Sequence, residues 1–272
     1  MRKRDVMRRF VTYLVVFSIF SFLLMPIVLI VATSFATSPA LSFPPSGFTL
    51  RWYQRIQPDF LNALKDSFIV AVSTTALATL VGTPAALALV RGRFPGRTLL
   101  NTFCLSPLLV PTLVLGVAAF QFSGLVWDVF GYSANGTIVG LALAHGAFTI
   151  PFVIRAAMAG QAHFDTALEE CSMNLGATPT QTFFRVTLPI IAPGVAAGAI
   201  FAFIMSFDDV PVALFMGGGG VTTLPVKIFT TIEFDFDNSV MAIGAIVVAM
   251  SLLMMVLLDW LVGLDRFLGV AR

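Results

Sequence analysis

Residues 166–189 read TALEECSMNLGATPTQTFFRVTLP, and the stretch holds two helix starts separated by a glycine. Thr166-Ala167-Leu168-Glu169 has the form of a capping box, in which Glu169 reaches back to the Thr166 amide. The spacing predicts a short helix ending near Leu175, with Gly176 and Ala177 forming the turn and Gly176 in the left-handed position beyond the helix end. Thr178-Pro179-Thr180-Gln181 supplies the second start: Thr178 caps, Pro179 opens the first turn and Gln181 closes the box. The second helix is expected to run through Phe183, Phe184 and Val186 toward Leu188-Pro189. Leu168, Cys171, Leu175, Phe183 and Phe184 form the apolar surface of the pair. That surface either packs on the chain's own helices or receives a partner.

On both sides the sequence turns apolar. Of 272 residues, 58% are hydrophobic and 11% charged, and the mean hydropathy is +0.94. A soluble domain carries about a quarter charged residues, and at less than half that share it would expose far more apolar surface than monomers tolerate. Soluble enzymes, secreted disulfide scaffolds and disordered tails are excluded, leaving an all-α integral membrane protein. Helices of about 20 apolar residues span the hydrocarbon layer. Six such runs are legible: Phe10–Thr33, Ser67–Val90, Thr98–Phe122, Thr137–Ile154, Leu188–Phe207 and Ser239–Leu258. The first holds 16 Leu, Ile, Val or Phe residues, which favour insertion by roughly 5–10 kcal/mol. It is too long for the apolar core of a cleavable signal peptide, about 7–15 residues.

Charge sets the direction. With the N-terminus in the cytoplasm and sides alternating, 12 basic residues fall inside and only Arg51, Arg55, Lys65 and Lys227 outside. Short cytoplasmic loops carry such an excess. The acidic residues lean outward, among them Asp208, Asp209, Glu233, Asp235 and Asp237, and Arg266 and Arg272 return the C-terminus to the cytoplasm. Residues 1–9 therefore read as a cytoplasmic basic anchor segment rather than as a nucleic-acid site, and 10–272 as a single six-span domain. The helix–glycine–helix lies in its longest cytoplasmic connection, about 155–187.

Pro26, Gly82, Pro84, Pro107, Pro111, Pro151, Pro189 and Pro193 interrupt the spans. Lipid cannot satisfy the backbone groups a proline frees, so neighbouring helices or a wet cavity must. Small residues at 192–199 (APGVAAGA) suit close helix approach. Residues 34–60 form an outside loop with an interfacial stretch at Phe48–Ile56, and Gly217–Gly220 a flexible outside loop. Asp208 and Asp209 close the fifth span at its outer end, where carboxylates mark an ion path or simply begin a solvated loop. His145 reads as a packing residue. Cys104 and Cys171 are far apart and read as small packing residues, with no disulfide or metal site implied. A membrane enzyme would need converging catalytic groups, and His145, His163 and Asp165 make a poor set. A secondary transporter would show coupling acids or broken helices in matched halves.

The stretch resembles the EAA signature of binding-protein-dependent ABC importer permeases, Glu-Ala-Ala, three residues, Gly, nine residues, Ile-x-Leu-Pro. Glu170, Gly176, Leu188 and Pro189 match at the right spacing, while Cys171 and Ser172 replace the alanines and Val186 the isoleucine. The resemblance extends to residues 174–189, to Ser206–Val212 and to Thr223–Ile228, which look like PotC-type permeases of spermidine/putrescine importers.

The resemblance implies a type I importer permease fold of six transmembrane helices in the bacterial inner membrane. It implies a homologous second permease, in a heterodimer, two cytoplasmic ATPase subunits and a periplasmic solute-binding protein. Docking and coupling would fall to Glu169, Glu170, Cys171, Leu175, Gly176, Ala177, Thr178, Phe183 and Phe184, with Glu170 anchoring the first helix. No Gly-x4-Gly-Lys-Ser/Thr phosphate loop occurs in the sequence. The expectation is a non-catalytic subunit without its own cofactor, ATP and Mg belonging to the partner ATPases. A polyamine cargo would give Asp208 and Asp209 a cationic ligand, and another small organic solute such as an amino-acid derivative is the alternative.

Overall fold

The computed structural model describes residues 2–37, 47–161, 164–234 and 239–262. His163, Asp235, Asp237, Arg266, Arg272 and the loop prolines 39, 44 and 45 lie outside them. Among the described residues the chain is helical, with two isolated β-bridges. In order the helices are α1 (Arg2–Ser34), α2 (Arg51–Gln54), α3 (Pro58–Arg91), α4 (Arg97–Leu105), α5 (Thr112–Phe130), α6 (Ile138–Gly160), α7 (Ala167–Asn174), α8 (Pro179–Thr182), α9 (Leu188–Phe207), α10 (Pro211–Met216), α11 (Leu224–Phe234) and α12 (Ser239–Val262). Among the described residues five helical stretches are long and apolar enough to span a membrane: Met7–Ser34, Pro58–Arg91, Thr112–Phe130, Ile138–Gly160 and Pro179–Phe207. Within α12 the apolar stretch Ser239–Leu253 is shorter.

The third expected span is displaced. Thr98–Phe122 is not one helix: α4 passes into a 3-10 turn at Ser106–Leu109, and Val110 is extended at ψ 128°. Val110 precedes Pro111, whose ring disfavours a helical residue before it, so the spanning helix restarts at Thr112 and continues to Phe130.

The chain forms two compact units. One draws on Met1–Phe60 and Thr230–Leu258, the other on Leu61–Phe229. In the first, the end of α1 is pinned by the segment after it. Trp52 Nε1 donates to the Ala36 carbonyl at 2.7 Å, and the Tyr53 hydroxyl meets Ser34 Oγ at 2.7 Å. Trp52 is thereby buried, while Phe48 and Leu50 of the same stretch are exposed. Toward its N-terminus α1 presents Phe10, Phe17 and Phe22 to the surroundings, as lipid or a partner helix requires.

In the second unit α6 is the central helix, burying Leu141, His145, Phe148, Val153, Ile154 and Ala157 along its length. Thr137 caps it, accepting from the Gly140 amide at 3.0 Å. The small residues of α9 lie against α6, as their sequence suggested. A methyl on Gly198 would sit 2.8 Å from Val153 Cα, and one on Gly194 2.8 Å from the Ala156 carbonyl. Without a hydrophobic difference between helix and lipid, such backbone approach supplies the association energy. Residues 217–220 form a tight turn, with Gly218 N bonded to the Val221 carbonyl at 3.2 Å, rather than a loose loop. Gly198→Val is expected to destabilise the chain by about 1–3 kcal/mol through overpacking, read as a lower unfolding temperature in detergent. The same change at exposed Gly124, where nothing lies within 4 Å, is expected to cost about 1 kcal/mol or less.

Candidate functional site

The glycine-turned pair of short helices forms, with a different first cap from the one expected. Thr166 makes no side-chain cap bond. The Asp165 carboxylate accepts from the Ala167 amide at 2.9 Å instead. Glu169 is thereby left for another task. Arg91 Nη1, at the end of α3, donates to Glu169 Oε1 at 2.6 Å, and the Thr187 hydroxyl donates to the same oxygen. One carboxylate thus joins the end of α3, the first turn of α7 and the helical segment leading into α9. Phe164 backs the arrangement, its ring 4.7 Å from the Arg91 guanidinium carbon.

The turn is as the sequence foretold. Gly176 has φ +89°, and the two bonds of a Schellman motif close α7: Ala177 N to the Ser172 carbonyl at 3.2 Å and Gly176 N to the Met173 carbonyl at 2.9 Å. Thr178 and Gln181 complete their capping box, the Thr178 amide donating to Gln181 Oε1 at 3.0 Å. Across the turn Ser172 Oγ lies 3.1 Å from Thr182 Oγ1. The serine that departs from the signature's alanine therefore adds a hydrogen bond between the limbs.

The second limb does not stop at Leu188-Pro189. α8 passes through a π-turn at Phe183–Thr187 directly into α9, so Pro179–Phe207 is one helical stretch. Pro189 has no N–H for the carbonyl four residues back, and the widened turn accommodates that loss.

Most of the remaining expected residues face outward. Glu170 and Cys171 are exposed, and the Glu170 carboxylate has no partner among the described residues. Within the chain it is Glu169 that fastens α7. Cys171 is not a packing residue, while Cys104 is half-buried against the Leu89–Ile154 cluster. Leu175 is 90% exposed and Phe184 60%, while Ala177 and Phe183 are half-buried. The Phe183 and Phe184 rings meet edge-to-face at 5.0 Å.

At the other end of α9 the structure separates the two aspartates. Asp208 is exposed. Asp209 is buried, and its Oδ2 accepts from the Val212 and Ala213 amides at 2.8 and 3.0 Å, capping α10. His145 Nε2 lies 3.6 Å from that oxygen, and Nδ1 lies 2.8 Å from Ser206 Oγ. His145 is a fully buried tie between α6 and the end of α9, in keeping with its reading as a packing residue. Among the described residues no group of three His, Cys, Asp or Glu side chains is placed to hold a metal ion.

Residues 78–264 match the family described as binding-protein-dependent transport system inner membrane component. The chain belongs to this family. It is 31% identical over 231 residues to the putrescine transport system permease protein PotI of Escherichia coli K12, covering 84% of this chain and 82% of that protein. It is 29% identical over 254 residues to the spermidine/putrescine transport system permease protein PotC of the same strain, covering 93% of each. The sulfate transport system permease protein CysT of Salmonella typhimurium is 30% identical over 215 residues, 75% of this chain and 77% of that one. In fold the chain is similar to a chain of a bacterial ABC transporter that imports alginate, with a TM-score of 0.73 at 14% identity, covering 94% and 97% of the two chains. The chain is an ABC importer permease, a multi-pass component of the inner membrane.

Arg91, Thr187, Phe164 and Ser172 were not among the expected site residues. Arg91 ends a span and Thr187 lies inside the signature, so both were visible, but nothing in their spacing points to Glu169. Arg91→Gln and Glu169→Gln, measured singly and together by thermal unfolding, are expected to show a coupling energy of about 1–2 kcal/mol. Glu170→Gln is expected to stay within about 0.5 kcal/mol of the parent chain. Equal effects at the two glutamates would refute the assignment of the anchor to Glu169.

Proposed function

We propose that α7, Gly176 and α8 are the coupling element of this permease, seated in a cytoplasmic ATPase subunit and passing its motion into α9. The observation that carries this reading is the division of labour along α7. Glu169 and Ser172 face the chain and are bonded to it, while Leu168, Glu170, Cys171 and Leu175 are exposed. A leucine left 90% in water forgoes most of the roughly 1.5–3 kcal/mol that burial of its side chain yields, and a protein groove would supply that burial. The second limb is helically continuous with α9 through Phe207, a stretch of roughly 40 Å at the helical rise per residue. Force applied at Gly176 therefore has a stiff route across the bilayer. Six spans with both termini cytoplasmic, favoured by the distribution of Lys and Arg, place the element on the ATPase side. Two permease chains, this one and a homologue, enclose the path and rock between inward- and outward-open forms. The chain itself is non-catalytic: ATP and Mg act in the partner subunits, and a periplasmic binding protein delivers the cargo.

A polyamine is the proposed cargo, on the similarity to the putrescine and spermidine permeases. Asp208, exposed at the outer end of α9, offers the carboxylate a polycation would meet, whereas Asp209 is committed to α10. The family match supports an importer permease over a secondary transporter or a membrane enzyme.

Two measurements test this. Gly176→Asp places a side chain at φ +89°, in a left-handed backbone that costs an ordinary residue about 1–2 kcal/mol. The variant is expected to insert normally and retain its ATPase partners, yet to lose at least about nine-tenths of ATP-driven uptake. Normal uptake would contradict the coupling assignment. Asp208→Asn is expected to slow uptake of labelled putrescine about tenfold, one charge–charge contact of ~1.4 kcal/mol, without altering assembly. Unchanged kinetics would remove Asp208 from the path.

A further inference from the structure

The geometry points to a ligand site beside the anchor, and we propose that it binds a phosphate ester carrying a free hydroxyl. A cavity of about 550 Å³ opens between the C-terminal ends of α3 and α6, the start of α4 and the first turn of α7, a volume ordinary for a small-ligand site. Its lining includes three guanidiniums, Arg91, Arg93 and Arg97, against one carboxylate, Glu169, a formal surplus of two positive charges. Arg91 gives Nη1 to Glu169, yet its Nη2 is buried without a partner. Arg93 and Arg97 are exposed, and neither has a partner among the described residues. Gln161, on the same wall, is buried with its Oε1 likewise unpaired. Buried polar atoms rarely go unsatisfied, and these two ask for opposite things: an acceptor at Arg91 and a donor at Gln161.

One ligand chemistry answers both. A phosphate diester or monoester accepts from arginine forks in the planar, charge-assisted geometry they favour. A hydroxyl on its alcohol donates to Gln161. The headgroup of phosphatidylglycerol and soluble glycerol phosphate share this chemistry. The flank of the cavity favours the lipid. α4 begins at Arg97 and packs Cys104 and Leu105 inward against Leu89 and Ile154, while Leu99 and Phe103 are 75% and 72% exposed. An acyl chain leaving the cavity has that apolar face to follow. Basic pockets between spanning helices hold anionic headgroups in this manner.

The test uses the full chain, delipidated in detergent, with lipid retention read by native mass spectrometry and by thermal unfolding. The probes are dioleoyl phosphatidylglycerol, the phosphatidylcholine with the same chains, and glycerol 3-phosphate. Retention of phosphatidylglycerol over phosphatidylcholine is expected, falling at least about tenfold in Arg93→Gln/Arg97→Gln. Arg8→Gln/Arg9→Gln removes the same charge from α1 and is expected to stay within about twofold of the parent. Should the first double variant fail to accumulate, Arg93→Lys/Arg97→Lys keeps the charge but not the fork and is expected to bind about three- to tenfold more weakly. An arginine-dependent rise in unfolding temperature with glycerol 3-phosphate, and none with the lipid, supports the site and assigns its ligand to the soluble pool. Equal loss in the two Gln doubles, parent-like binding in the Lys double, or no preference among the three probes overturns the proposal.

Discussion

The Glu169 carboxylate is the point on which the α7 end of the larger unit turns, because one of its oxygens accepts from both Arg91 and Thr187. An ion pair on an open surface contributes little, since water competes and two long side chains must be held still. This one is partly withdrawn from solvent, the two side chains being 30% and 19% exposed. The arginine is held further by the Phe164 ring and the glutamate by a second donor. It ties a residue closing α3 to one at the foot of α9 through a short helix that has little core of its own. Without that tie α7 would be an eight-residue helix with no buried side chain, too short to persist alone in water.

Helix geometry explains why the adjacent carboxylate has a different fate. Successive residues on a helix are set about 100° apart, whereas positions three apart share a face. Glu169 and Ser172 are three apart, and both bond back to the segment 182–187. Leu168, Cys171 and Leu175 follow the same spacing on another stripe, and that stripe is exposed. The short helix is thus fastened by its polar side and shows its apolar side outward, the reverse of a helix that belongs wholly to a soluble core. A polar inner face gives directional bonds that fix the angle of α7. An apolar outer face is what a docking groove would cover.

Much of this was legible before any coordinates. The apolar runs, the glycine turn and the Thr178 box depend on residue type over a few positions, where local chemistry decides. The misread features depend on longer reach. Whether Glu169 caps its own helix or crosses to Arg91 is a competition between a local and a distant partner, 78 positions apart in sequence. Spacing records only the first. Leu188-Pro189 looks like a helix start, and the continuity with α8 was hidden because a π-turn leaves no composition signature. Counting from charge to charge placed the third span too early. Thr98–Leu105 is as apolar as a span, and only the extended Val110 before Pro111 moves the crossing helix to Thr112–Phe130.

The two ends of α9 divide their polar groups by the same logic. Near its start one glutamate of α7 is committed to the fold and its neighbour is left outward. Beyond its last turn Asp209 is committed to α10, beside His145, and Asp208 is left exposed. Drawing the buried Asp209 carboxylate toward a mobile cation would break its two amide bonds, uncap α10 and leave His145 beside an emptied site. An exposed carboxylate one residue earlier can be approached and released without disturbing the packing. A transport path needs groups of the second kind, since a cargo must leave as readily as it enters. In each acidic pair, one member holds the helix end in place while the other remains available to what lies outside the chain.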